Sequence, residues 1–183
     1  QAHRLERLVQ DLLDLARLDA NQFRLHPAVV DLAVITGRSV AEMAAKATAQ
    51  GVDLRFEREA ANPILVNADP DRVAQVVGNL VDNALRFAES AVIVGVARRG
   101  SHGIVSVRDD GPGIDPADLP HIFDRLYSGR IQPKRSESST GLGLTIVREL
   151  TFAMGGSVTV TGNADRGSRF EMNLPLAGDS ADV

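Results

Sequence analysis

The stretch ADPDRVAQVVGNLVDNALRFA, residues 68–88, decides how the chain is read. Asp69 stands ahead of Pro70 and Asp71, the start signal of a helix: an acceptor for orphan amides, a proline where no amide hydrogen is needed, and a carboxylate facing the positive end of the dipole. From there Val73, Val76, Val77, Leu80, Ala84 and Phe87 recur at helical spacing and predict a buried stripe. Asn79, Asn83 and Arg86 follow one another at i, i+4 and i+7 on the other face, with roughly 5–6 Å between neighbours. Two carboxamides beside a guanidinium suit a metal-bound phosphate, because a neutral carbonyl oxygen ligates Mg²⁺ and arginine holds phosphate. A solvated helix face is the plain alternative, and this helix alone does not choose between the two.

Toward the C-terminus, AVIVGVARR and GIVSVRD alternate in the manner of strands and are joined as a hairpin around Gly100 to Gly103. DDGPGI, residues 109–114, then leaves the second strand, and its glycines let the backbone come close to a ligand while a carboxylate there can accept from an exocyclic amine. Asp-Gly and Pro-Gly are also ordinary turn chemistry. A stretch rich in Pro, Ser and Arg runs from Gly111 to Ser139 and reads as a lid, loops of that size being functional or disordered as a rule. STGLGLTIV, residues 139–147, follows, with Gly141 and Gly143 opening a helix whose amides and dipole would face an anion. That helix is expected from about Leu142 to Met154, then a turn at Gly155-Gly156 and the strands SVTVTG and RFEMNLPL.

Toward the N-terminus lie a strand-like VDLRFER, a short strand from Ile64 to Val66, a helical run from about Asp31 to Gln50, and an apolar piece at Val29 and Val30. The opening segment spaces Leu5, Leu8, Leu12 and Leu15 by threes and fours, as a helix packed on other helices does. Helices and strands mix without βαβ regularity, which predicts an α+β fold with an antiparallel or mixed sheet carrying helices on one face.

Composition narrows the function classes. With 183 residues, 44% hydrophobic and 24% charged, the chain has the make-up of one folded domain with an appendage. It contains no cysteine, so no disulfide frame, thiolate nucleophile or Cys-ligated zinc. A net charge of −4, one Tyr and no Trp argue against a nucleic-acid partner. No apolar run approaches the roughly 18 residues of a membrane helix, so any anchor of a longer protein lies outside this stretch. Neither a P-loop nor a G-x-G-x-x-G signature is present.

The order NLVDNALRFA, VRDDGPGI, LPHIFDRLYSG, TGLGLTIVRELTFAMGG and GSRFEMNLPL, with its separations, resembles the catalytic domain of bacterial sensor histidine kinases, within the superfamily shared with gyrase, MutL and the large heat-shock ATPases. The resemblance covers about residues 28–176. Residues 1–22 resemble the second helix of that family's dimerisation and phosphoacceptor domain, and 177–183 read as a tail. The fold so implied is a two-layer α/β sandwich of the Bergerat type, a mixed, mostly antiparallel sheet with three helices on one face and ATP under a lid. The resemblance assigns Mg²⁺ to Asn83 with Asn79 one turn before it, and phosphate to Arg86, where the family usually has Lys. It assigns the adenine amine to Asp109, the floor beneath the base to Gly111 and Gly113, and the phosphate side to Thr140, Gly141, Leu142, Gly143 and Leu144. Arg125 and Arg130 in the lid, and less readily Lys134 and Arg135, would neutralise phosphate. The implied partners are the phosphoacceptor domain of the parent kinase and a response regulator. The implied setting is the cytoplasmic part of a homodimeric, membrane-anchored protein.

Three departures stand out. Ser139 occupies the place of a glycine that normally opens the second glycine box, and Leu126 that of an aromatic residue that docks the lid. The acceptor motif, a histidine followed by an acidic residue, Arg or Lys, Thr and Pro, does not occur in these residues, and His3, His26, His102 and His121 read as surface histidines. The chain is therefore expected not to phosphorylate itself. The rival readings are another ATPase or a serine kinase of the superfamily, and a silent module that binds nucleotide or docks partners. Asn79 in place of a water-activating Glu speaks against the first, and intact glycine boxes against the second.

Overall fold

A computed structural model of the chain describes residues 24–59, 62–125, 127, 141–162 and 167–178. The helix predicted on the 1–22 stretch lies outside them. Seven strands and three helices are found among the described residues: β1 (Ala28–Asp31), α1 (Leu32–Ala49), β2 (Asp53–Arg58), β3 (Leu65–Ala68), α2 (Pro70–Phe87), β4 (Ala91–Arg99), β5 (His102–Asp109), α3 (Gly143–Ala153), β6 (Ser157–Gly162) and β7 (Ser168–Pro175). The main sheet has the order β2-β4-β5-β7-β6, with β2 parallel to β4 and every other pair antiparallel. This is the mixed, mostly antiparallel sheet the sequence predicts.

The inner face of the sheet is set by strand alternation. Val92, Val94 and Val96 on β4, Val105 and Val107 on β5, and Phe170, Met172 and Leu174 on β7 are all buried. Helix α2 is the middle of the three, packing against α1 on one side and α3 on the other while its floor meets β4 and β5. That position explains a difference from the expected stripe. Val81 and Leu85 are fully buried as well, whereas Phe87 is only half-buried. A helix flanked on two sides needs a wider apolar arc than one resting on a sheet alone.

The caps behave as their residue types predict. Asp69 accepts from the amides of Asp71 and Arg72 at 3.0 and 3.3 Å, and its second oxygen accepts from the His26 amide at 2.8 Å. Asp31 caps α1 through the Ala33 amide, and the same oxygen reaches the amide of Ile64. The Val29-Val30 piece and the short strand at 64–66 turn out to be partners: β1 and β3 form a separate two-stranded antiparallel sheet, closed at its end by a bridge from Val66 to Leu176.

The predicted lid is corrected over its first half. Residues 116–125 form a series of turns, with Ile114, Ile122 and Phe123 packed on the core and the Phe123 ring edge-on to Phe170 at 6.3 Å. Thr145 of α3 donates to the Phe123 carbonyl at 3.0 Å, and Tyr127 donates to the buried Asp118 at 2.7 Å. Ile122 and Phe123 thus dock this segment before position 126 is reached, and Leu126 itself lies outside the described residues, as do Arg130, Lys134, Arg135, Ser139 and Thr140. His102, expected in the hairpin turn, is instead the first residue of β5, paired with Arg99 and Pro175.

Candidate functional site

Helix α2 carries the three polar candidates on one face, and Asn79 is the one that meets α3. Asn79, Asn83 and Arg86 are half-buried, between the fully buried Val–Leu arc and solvent. The Asn79 amide nitrogen donates to the Gly143 carbonyl at 3.5 Å, so the carboxamide face of α2 and the first turn of α3 meet. Helix α3 begins at Gly143 after Leu142, and no side chain caps it. Its first amides are left to whatever acceptor stands before them, and the helix dipole favours an anion there. Gly141 takes φ +69°, a left-handed turn that aims the chain into the helix. A Cβ on Gly143 would meet nothing within 4 Å, so no neighbour in the protein demands the glycine at this position.

Asp109, at the end of β5, is buried. Its Oδ1 accepts from the Gly111 amide at 2.9 Å and from the Ser168 amide at 3.4 Å, and its Oδ2 accepts from the Ser168 hydroxyl. Burial pushes its pKa up, while the hydrogen bonds from Ser168 and Gly111 pull the other way. Gly111 is required by its surroundings: a Cβ there would lie 2.4 Å from the Phe87 carbonyl oxygen and 2.8 Å from Asp109 Oδ1. Gly113, at φ +78°, turns the chain back toward the core at Ile114. Asp110, by contrast, faces outward and accepts from the amides of Glu89 and Ser90 and from the Ser90 hydroxyl. Burial raises its pKa, but these bonds outweigh it and hold the carboxyl down at about 2.

Sequence reasoning passed over Gly167 and Ser168. Antiparallel register carries the missing signal: Arg108 pairs with Arg169, so the residue after the one and the residue before the other are brought face to face. Gly167 has φ +79° and no room for a Cβ, which would come 1.9 Å from the Asp109 carbonyl oxygen. Sequence reasoning also passed over the surroundings of Arg86. Its Nη2 donates to Asp82 Oδ2 at 2.8 Å, and Lys46 of α1 binds the other oxygen of the same carboxylate. Arg125 lies exposed at the end of the docked turns.

Among the described residues no cluster of three His, Asp or Glu side chains could hold a metal by itself. The donors that fit Mg²⁺ are neutral oxygens. The Asn83 carboxamide is half-buried and makes no hydrogen bond with the described residues, so its carbonyl oxygen is uncommitted on a face next to an uncapped helix start. Mg²⁺ is commonly held by one or two protein oxygens with water and substrate phosphates completing the octahedron, and this donor set suits that mode rather than a dedicated metal cage.

Comparison with known proteins agrees with this geometry. Residues 68–178 match the family described as histidine kinase-, DNA gyrase B-, and HSP90-like ATPase. The signal transduction histidine-protein kinase AfsQ2 of Streptomyces coelicolor is 37% identical over 175 residues, 96% of this chain and 31% of that protein. The sensor protein RstB of Escherichia coli is 34% identical over 94% of this chain and 39% of its own length. The chain thus spans only 31% and 39% of these two relatives' lengths. Among solved structures, full-length ShkA in complex with AMPPNP superposes with a TM-score of 0.83 at 31% identity, over 97% of this chain and 37% of that one. The fold and the family match point the same way: the chain belongs to the family of histidine kinase-, DNA gyrase B- and HSP90-like ATPases, as the ATP-binding domain found in sensor histidine kinases.

Proposed function

We propose that this chain holds Mg²⁺–ATP between α2, the 109–114 turn and the start of α3, and delivers the γ-phosphate to a histidine carried by the dimerisation domain of a sensor histidine kinase. The observation that carries the proposal is the contact of Asn79 with the Gly143 carbonyl, which brings the carboxamide face next to the uncapped helix start. In that pocket Asn83, with Asn79 beside it, supplies oxygen to Mg²⁺. Arg86 and the amides at Gly143 and Leu144 face the phosphates, with Gly141 and Leu142 leading into them. Asp109 accepts from the adenine amine above the floor of Gly111 and Gly113, with Ser168 bracing the carboxylate from behind. Arg125, exposed at the end of the docked turns, would add positive charge for the phosphates.

Phosphoryl transfer asks the protein for positioning and charge neutralisation more than for covalent chemistry. The attacking imidazole is largely neutral near pH 7, its ordinary pKa being about 6.5, so no general base is needed on this chain. The relatives named as sensor kinases and the ShkA complex with AMPPNP support this reading over a superfamily hydrolase, as does Asn79 at the place of a water-activating Glu. A response regulator is then the natural next acceptor, and a membrane-anchored homodimer the natural setting. No helix of the described residues is long and apolar enough to cross a membrane.

The test uses labelled ATP. Incubated alone, the chain should gain no acid-labile phosphate, while a separately supplied phosphoacceptor domain of its own parent kinase should be labelled slowly, saturably, and less below about pH 6, where imidazole protonates. Phosphohistidine on His3, His26, His102 or His121, or no transfer to any acceptor despite ATP binding, would contradict the proposal.

A further inference from the structure

Arg86 does not stand alone on its helix face. One edge of its guanidinium is bound to Asp82, one turn earlier on α2, and the opposite oxygen of Asp82 is bound by Lys46 from α1. The side chains of Arg86 and Asp82 are 15% and 14% exposed, and that of Lys46 25%. In surroundings this dry the three charges act as one unit. Arg86 Nε is buried and has no hydrogen-bond partner, so the guanidinium is fixed in orientation without being saturated.

We infer that Asp82 and Lys46 are positioning residues that set Arg86 for the terminal phosphate, an inference that rests on the nucleotide reading above. A free arginine gives up rotamer entropy when it is immobilised on a ligand. Asp82 removes that cost by holding the side chain before the ligand arrives. A carboxylate next to a phosphate site would on its own repel the ligand, and the Arg86–Asp82 pair taken alone carries no net charge. Lys46 brings a positive charge to that carboxylate from the neighbouring helix, so the arginine is both anchored and attractive to an anion. The chemistry this cluster favours is therefore the added charge of a triphosphate over a diphosphate.

The test compares ATP and ADP binding, each with Mg²⁺, to the whole chain by calorimetry. The native chain should bind ATP more tightly than ADP. Asp82→Asn should lower that preference by about tenfold while leaving ADP affinity unchanged. Lys46→Met should lower it by about threefold, Lys46→Arg should restore it, and the double variant Lys46→Met/Asp82→Asn should lose no more than Asp82→Asn alone. Should Asp82→Asn fail to fold in a thermal melt, the Lys46 pair decides the matter. Loss of the preference in Arg86→Ala but not in Asp82→Asn or Lys46→Met would overturn the inference and leave the nucleotide site standing. Equal loss of ATP and ADP affinity in the variants would reduce the cluster to a structural one and overturn it too. A native chain that binds neither nucleotide would overturn the site itself.

Discussion

Burial works against charge at Asp109, and three hydrogen bonds, from the Gly111 amide and from the amide and hydroxyl of Ser168, work for it. An acceptor held this way is suited to a donor such as an exocyclic amine, and Asp109→Asn should erode the preference for ATP over GTP, because the amide can donate to the guanine carbonyl. Competition binding measures it, and unaltered discrimination would return Asp109 to a purely structural role. Its neighbour acts through stability. Asp110 has a folded-state pKa of about 2 against an ordinary 3.8, so the stability it contributes is present above pH 3.8 and lost as pH falls toward 2. Asp110→Ala should cost about 1–2 kcal/mol at pH 7 and flatten the acid limb of the stability curve, as denaturant melts between pH 2 and 7 would reveal. Gly111→Ala should be worse tolerated than Gly143→Ala, since the added methyl meets the Phe87 carbonyl at 2.4 Å in the first case and nothing in the second. A thermal melt ranks them, and equal melting temperatures would contradict the packing account.

At the scale of elements, α2 organises the site. Its start is fixed by Asp69, whose carboxylate also anchors the His26 amide and so ties the entering chain to the helix. Asp69→Ala should destabilise the protein by about 1–2 kcal/mol through the lost cap, measured by denaturant unfolding, and a change within error would show that the cap carries no weight. Much of this element was legible beforehand, because cap, proline and valine spacing are local signals. The extra burial of Val81 and Leu85 was not, since it depends on α1 and α3 flanking the helix, which a periodicity cannot know. The same limit hid the β1–β3 pair, where two short apolar pieces 34 to 40 residues apart in the sequence meet only through tertiary register. It also made the 111–125 stretch read as lid. Its Pro, Gly and Asp content signals turns correctly, but Ile122 and Phe123 reveal themselves as anchors only when Phe170 and Thr145 are in place.

At the scale of the molecule, the proposed site draws on the end of β5, on α2 and on the start of α3, of which α2 and α3 meet at Asn79 and Gly143. The glycine boxes and the asparagine face are compact motifs and could be recognised from their residues. Ser168 and Lys46 could not, because each acts across an interface between elements that are distant in sequence, whereas Asp82 stands at the local i,i+4 spacing from Arg86 on one helix. The central claim is that these separate motifs form one Mg²⁺–ATP pocket, and the direct measurement is a calorimetric titration of the chain with ATP, with and without Mg²⁺, alongside Asn83→Ala. The account predicts saturable binding that strengthens with Mg²⁺ in the native chain, and a folded Asn83→Ala variant whose residual binding no longer responds to the metal. No heat of binding with Mg²⁺–ATP, or an unchanged metal dependence in Asn83→Ala, would contradict it.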